Sequence, residues 1–76
     1  QITGLSDFRA AADSYQRLLK DYPSSPKVPD ALLSLARAQI QLEEKEEAKE
    51  TLNRLLARYA TSKAADNGKK LLATLN

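Results

Sequence analysis

Read from Phe8, the apolar residues fall at Phe8, Ala11, Ala12, Tyr15, Leu18, Leu19 and Tyr22. Spacings of three and four put them on one face of a helix. Ser6 is placed to cap this helix, Asp7 sits in its first turn and Pro23 ends it, so it is predicted over about 6–21. A second stripe, Val28, Ala31, Leu32, Leu35, Ala38 and Leu42 with Gln39 beside it, predicts a second helix. Its start has two readings. Ser25 caps it with Pro26 in the first helical position, the reading preferred here, or the helix begins later with Pro29 in that position. In EEKEEAKETLNRLLARYA, residues Ala48, Leu52, Leu55, Leu56 and Tyr59 share one face. Acids crowd the first turns of that segment and Arg54 and Arg58 the last, an order that complements the helix dipole. Ser62 is placed to cap a fourth helix, whose apolar face is Ala65, Gly68, Leu72 and Leu75 with Ala64 and Leu71 beside it. No segment reads as a strand, so the predicted class is all-α: four helices joined by short turns.

The first and third helices repeat one another. Ala11, Tyr15, Leu18, Leu19 and Tyr22 reappear 37 residues on as Ala48, Leu52, Leu55, Leu56 and Tyr59, and Arg17 reappears as Arg54. The linkers match as well: YPSSPKV at 22–28 is echoed by YATSKAA at 59–65, with Ser25 over Ser62. The echo decides how the prolines are read. Pro23, Pro26 and Pro29 stand three apart, the period of a polyproline II ligand. The second copy keeps the serine and the aromatic but none of the prolines, so the shared property is a joint between helices. A period in the mid-thirties built of two helices is the signature of a tetratricopeptide solenoid.

Aligned on these loops, the chain resembles the tetratricopeptide repeat throughout. Leu32, Leu35 and Ala36 stand at the large, Leu and small positions of helix A, and Ala48, Leu52 and Leu55 at the Ala, aromatic and Ala positions of helix B. The resemblance implies antiparallel hairpins stacked in a right-handed superhelix: a lone helix B over about 6–21, a complete repeat over about 26–60, and a following helix A or cap over about 62–75. Glu43 replaces the family's usual turn glycine, Lys45 the aromatic after it, and Ala60 the repeat-ending proline. Residues 22–72, with YPSS before KVPDALL, an Ala-containing helix B ending in an aromatic, and SKAADNGKKLL, resemble more closely the C-terminal tetratricopeptide domain of the YbgF family. These Tol-Pal system proteins are also called cell division coordinators, CpoB. That resemblance implies a non-catalytic interaction module in the periplasm that binds TolA and helps couple peptidoglycan synthesis to outer-membrane constriction. A related outer-membrane assembly lipoprotein shares the YPxS loops, and implies the alternative of a scaffold or oligomerisation unit.

Leu33 and Ile40 lie off the main stripe of the second helix at i and i+7, with Arg37 between them, on a second face. The resemblance maps the concave groove to Asp30, Leu33, Arg37, Ile40 and Gln41, continued on the fourth helix by Asn67, Lys70 and Thr74. The competing reading is that Leu33 and Ile40 simply pack on a neighbouring helix. Some family members grip a terminal carboxylate with Lys and Asn on helix A. Here those positions hold Leu33 and Arg37, so a helix or extended segment with apolar anchors is the expected partner. The first helix lacks a helix A of its own, so Phe8, Tyr15 and Leu19 are expected to leave an uncovered patch that drives self-association into a homo-oligomer.

Composition narrows the chemistry. Twelve basic against ten acidic residues give a net charge of +2, too balanced for the field of a nucleic-acid binder. The chain has no cysteine and no histidine, which removes disulfides, thiolate or imidazole metal sites and the usual bases and nucleophiles. No catalytic residue and no cofactor is expected. The acids Glu43, Glu44, Glu46, Glu47 and Glu50 lack the interleaved glycine of a calcium loop. With Lys45, Lys49 and an expected Glu50–Arg54 pair they read as a solvated face. Ser24 and Lys27 form an SxxK string without companion motifs, in a turn. No apolar run approaches the roughly 18 residues of a membrane span, and the opening QITGLSDF has no leader pattern. The absence of an initiating methionine implies a piece of a longer protein, whose leader could lie upstream. The periplasmic expectation rests on the resemblance.

Overall fold

A computed structural model describes residues 4–75 of the chain, with side chains over 7–75. It contains α1 (Gly4–Asp21), α2 (Val28–Gln41), α3 (Lys45–Arg58) and α4 (Lys63–Leu75), and no strand among the described residues. The class is all-α, as the periodicity predicts. Each helix packs on the next, and α2 also packs on α4, whereas the backbones of α1 and α3 do not approach each other closely. The result is a slab of 38 × 31 × 18 Å, about two helix diameters thick.

α2 is the centre of the slab because it is apolar on two sides. Toward α3 and α4 it contributes Val28, Leu32, Leu33 and Ala36 to a cluster with Leu52, Leu55, Ala64 and Ala65. Toward α1 it contributes Leu35 and Ala38, which pack with Ala12, Phe8, Tyr15, Leu19 and Leu42. Leu32, Leu52 and Leu55 lose essentially all contact with solvent, worth about 1.5–3 kcal/mol each in transfer free energy. Small residues let α4 come close. A Cβ placed on Gly68 would lie 2.9 Å from Leu55 Cδ2 and 3.4 Å from Leu52 Cδ2. One polar pair is buried in this packing: Thr51 Oγ1 donates to Gln39 Oε1 at 2.7 Å, bridging α3 to α2.

The helix ends differ from the expected ones at two places. α1 begins at Gly4, so Ser6 lies inside the helix and is not its N-cap. Neither Leu5 nor Ser6 is a helix breaker, and the hydrogen-bond ladder runs on through them. α2 begins at Val28, with Lys27 as N-cap and Pro29 in the first turn, so it starts two residues after the Ser25-capped reading and one residue before the reading that puts Pro29 first. The reason is covalent. A capping Ser25 would need its carbonyl to accept the first helical bond from residue 29, and Pro29 has no N–H. Instead Ser25 closes a turn, its carbonyl accepting from Val28 N–H at 3.1 Å and its Oγ from Lys27 N–H at 3.2 Å. The first helical bond is Ala31 N–H to Lys27 O, 2.9 Å. Ser62 faces no such obstacle. Its Oγ accepts from Ala65 N–H at 3.1 Å and its carbonyl from Asp66 N–H at 3.3 Å, an N-cap for α4.

Between α2 and α3, Glu43 adopts φ 61°, the left-handed region. Glu44 N–H donates to Gln39 O at 2.8 Å and Glu43 N–H to Ile40 O at 3.0 Å, the paired bonds of a Schellman stop. Glycine is the usual occupant of that position, because a Cβ there is strained. Arg9 Nη1 meets Glu44 Oε2 at 3.0 Å and ties α1 to the same turn. That is the one ion pair among the described residues, and the expected Glu50–Arg54 pair does not form.

Candidate protein-binding groove

The packing of α4 across α2 leaves an open groove of about 250 Å³, lined by Arg37 from α2 and Asn67, Lys70, Leu71 and Thr74 from α4. The α4 residues share one face by their spacing of three and four. Arg37 joins them because it directly follows Ala36, which is fully buried in the cluster that holds α4. Arg37, Asn67, Lys70 and Thr74 are exposed, and Leu71 is half-buried beneath them. Thr74 Oγ1 donates to Leu71 O at 2.6 Å, which turns its hydroxyl toward its own helix. The lining therefore offers two cations, an amide and an apolar floor, with no carboxylate. This chemistry suits carbonyl or carboxylate groups of a bound segment, with a small apolar side chain set on Leu71.

Of the residues expected on the concave face, Arg37, Asn67 and Lys70 are brought together with Thr74, although α2 and α4 are distant in sequence. Asp30 goes elsewhere, to a hollow between α1 and α2. Ile40 is half-buried and Gln41 exposed at the far end of α2, and neither lines the groove. Leu33 corrects the expectation outright: it is 9% exposed and belongs to the same cluster as Ala64 and Ala65, so it packs under α4 and has little surface to offer a partner. A signal for this was present in the repeat. The position 37 residues on is the exposed Lys70, so the apolar side chain occurs only where a following helix covers it. Leu71, the groove floor, was grouped with the core stripe of the fourth helix. Its place one residue beyond Lys70 and four beyond Asn67 was the clue to its second role.

The residues expected to form an uncovered patch are only partly open. Phe8, Tyr15 and Leu19 are half-buried and pack against Ala12, Leu35 and Ala38, because α2 covers that side of α1. The open side of α1 shows Tyr15 and Leu18. A wider wedge of about 420 Å³ separates α1 from α3, with Lys20 and Arg54 set against Glu47 and Glu50 over a floor of Leu19 and Leu35. Its mixed charge selects no particular ligand sign.

Stacked helical hairpins around a central α2, joined at a 37-residue offset, are the architecture of a helical repeat protein. The family defined by the tetratricopeptide repeat matches residues 4–74. The chain belongs to the tetratricopeptide repeat family. No curated protein matches it at a significant level. Tetratricopeptide repeats mediate protein–protein interaction, so the tetratricopeptide groove between α2 and α4 is read as a surface for a protein partner.

Proposed function

We propose that this tetratricopeptide chain is a non-catalytic interaction module of a periplasmic Tol-Pal-associated cell division coordinator. It binds TolA and thereby helps couple peptidoglycan synthesis to outer-membrane constriction. The observation that carries the reading is the convergence of Arg37, Asn67 and Lys70 on one groove with an apolar floor. The resemblance of residues 22–72 to the coordinator family supports the choice of partner. The groove would act by holding a polar or acidic stretch of the partner against the two cations, while one apolar side chain rests on Leu71.

Titration of the purified chain with purified TolA tests this directly. The wild-type chain is expected to bind, and the Arg37→Glu, Lys70→Glu double variant to bind at least about tenfold more weakly with an unchanged melting temperature. Both residues are exposed, so the fold does not depend on them. Equal affinity of the two chains would remove the groove from the reading. Failure of the wild-type chain to bind TolA, together with capture of an outer-membrane assembly component, would move the protein to the scaffold alternative.

A further inference from the structure

The wedge between α1 and α3 is ordered along its length. Walls and floor all come from α1, α2 and α3. One end is closed by the Arg9–Glu44 ion pair. α1 and α3 each pack on α2 across a short turn, so they run the same way, and this pair sets their register. Lys20 lies eleven residues past Arg9 and Arg54 ten past Glu44, which brings the two cations level, about 15 Å from the bridge. Glu47 and Glu50 stand between, about 6–11 Å short of Arg54 along the axis. The wedge thus has an acidic half and a basic half. All four side chains are exposed, and none forms an ion pair with a described residue. At mid-length the floor adds one directed group. Gln39 is only 4% exposed and lines the wedge beside Thr51. Its Oε1 accepts from Thr51 Oγ1, while its amide NH2 donates to none of the described residues.

We propose that this wedge binds an extended segment of a partner polypeptide that carries a basic and an acidic residue two or three places apart. The spacing follows from the distance between the two halves, which extended chain covers in two or three residues. The basic residue lies against Glu47 and Glu50, and the acidic one against Lys20 and Arg54. A backbone carbonyl between them accepts from the Gln39 amide. Extended chain is required for that bond, because carbonyls inside a helix are already paired. A second copy of this chain does not supply the segment. Its turns, residues 22–27, 42–44 and 59–62, carry one sign of charge or none, and its other described residues are helical. The site is distinct from the groove between α2 and α4. Arg37 and Gln39 are two residues apart on α2, about 200° around the helix, so the two surfaces face opposite ways and the chain can hold two segments at once.

The probes are four acetylated, amidated alanine heptapeptides with charged residues three places apart: Lys then Glu, Glu then Lys, both Lys, and both Glu. Each is titrated into the intact chain and followed by backbone amide shifts. One of the two mixed peptides should bind with a Kd of about 1 mM, with shifts centred on Gln16, Gln39 and Thr51, and the like-charged peptides about fivefold more weakly. Glu50→Lys should weaken the mixed peptide about fivefold and strengthen the peptide with two Glu. The Gln39→Leu, Thr51→Val double variant, which removes the amide and its partner together, should weaken the mixed peptide about threefold. Absence of shifts at those three residues at about 5 mM of either mixed peptide overturns the proposal. So does equal binding of all four peptides, or binding centred on Asn67 and Lys70. Arg37→Glu, Lys70→Glu should leave the peptide titration unchanged, so this site and the TolA reading succeed or fail independently.

Discussion

Replacing Glu43 by glycine should make the protein more stable, although it removes a side chain. Glu43 holds φ 61° at the end of α2, and the two Schellman bonds to Ile40 and Gln39 carbonyls fix it there. A residue with a Cβ in this conformation costs roughly 1–2 kcal/mol. Glycine relieves that strain but gives back about 0.4–1 kcal/mol through the greater freedom of its unfolded chain. The net expectation is a gain of about 0.5–1 kcal/mol, or roughly 2–8 °C in melting temperature for a chain of this size. Glu43 is exposed and makes no ion pair, so no contact is lost. A second effect has to be separated. A carboxylate at the C-terminus of α2 opposes the helix dipole, and removing it stabilises by a few tenths of a kcal/mol at most. Urea unfolding of Glu43→Gly, Glu43→Gln and Glu43→Ala distinguishes the two. Gln measures the charge alone and Ala keeps the strained Cβ, so both should fall clearly below Gly. If Ala or Gln matches Gly, the turn is not strained and the reasoning from φ fails.

Thr51→Val should cost about 1–3 kcal/mol, because it leaves the Gln39 amide buried without the hydroxyl that serves it. Most of that loss should return in the Thr51→Val, Gln39→Leu double variant, and a strictly additive cycle in urea would show that the pair is not coupled. The two linker serines, matched in sequence, should differ in weight. Ser62→Ala should lower stability by about 1 kcal/mol as the lost cap of α4. Ser25→Ala should cost at most a few tenths, since its Oγ holds only an exposed turn; equal melting shifts for the two would contradict the cap assignment.

The helices themselves were legible because each has a buried stripe, and burial imposes the helical period on the sequence. The 37-residue echo between α1 and α3 also carried through into packing, since Tyr15 and Leu18 stand on α1 where Leu52 and Leu55 stand on α3. Of the two readings for the start of α2, the one capped by Ser25 fails because Pro29, four positions on, has no N–H to give the Ser25 carbonyl. Leu33 was misread for a different reason. Its apolar character is the same whether it waits for a partner or for α4, and periodicity within one helix does not distinguish the two. The groove was half legible: Arg37, Asn67 and Lys70 follow from their places in the repeat, but Asp30 and Leu71 changed surfaces because the width of each opening depends on how closely helices approach.

That approach is controlled at one position behind the groove. A Cβ at Gly68 would lie 2.9 Å from Leu55 Cδ2, so glycine lets α4 sit against α3 without moving that methyl group. An alanine at 68 would have to be accommodated by a shift of the fully buried Leu55 side chain, of α4, or of both. Asn67 and Lys70 ride on that helix, next to and two residues beyond the glycine. The width of the opening between α2 and α4 is thus set in part by a core residue that does not line it.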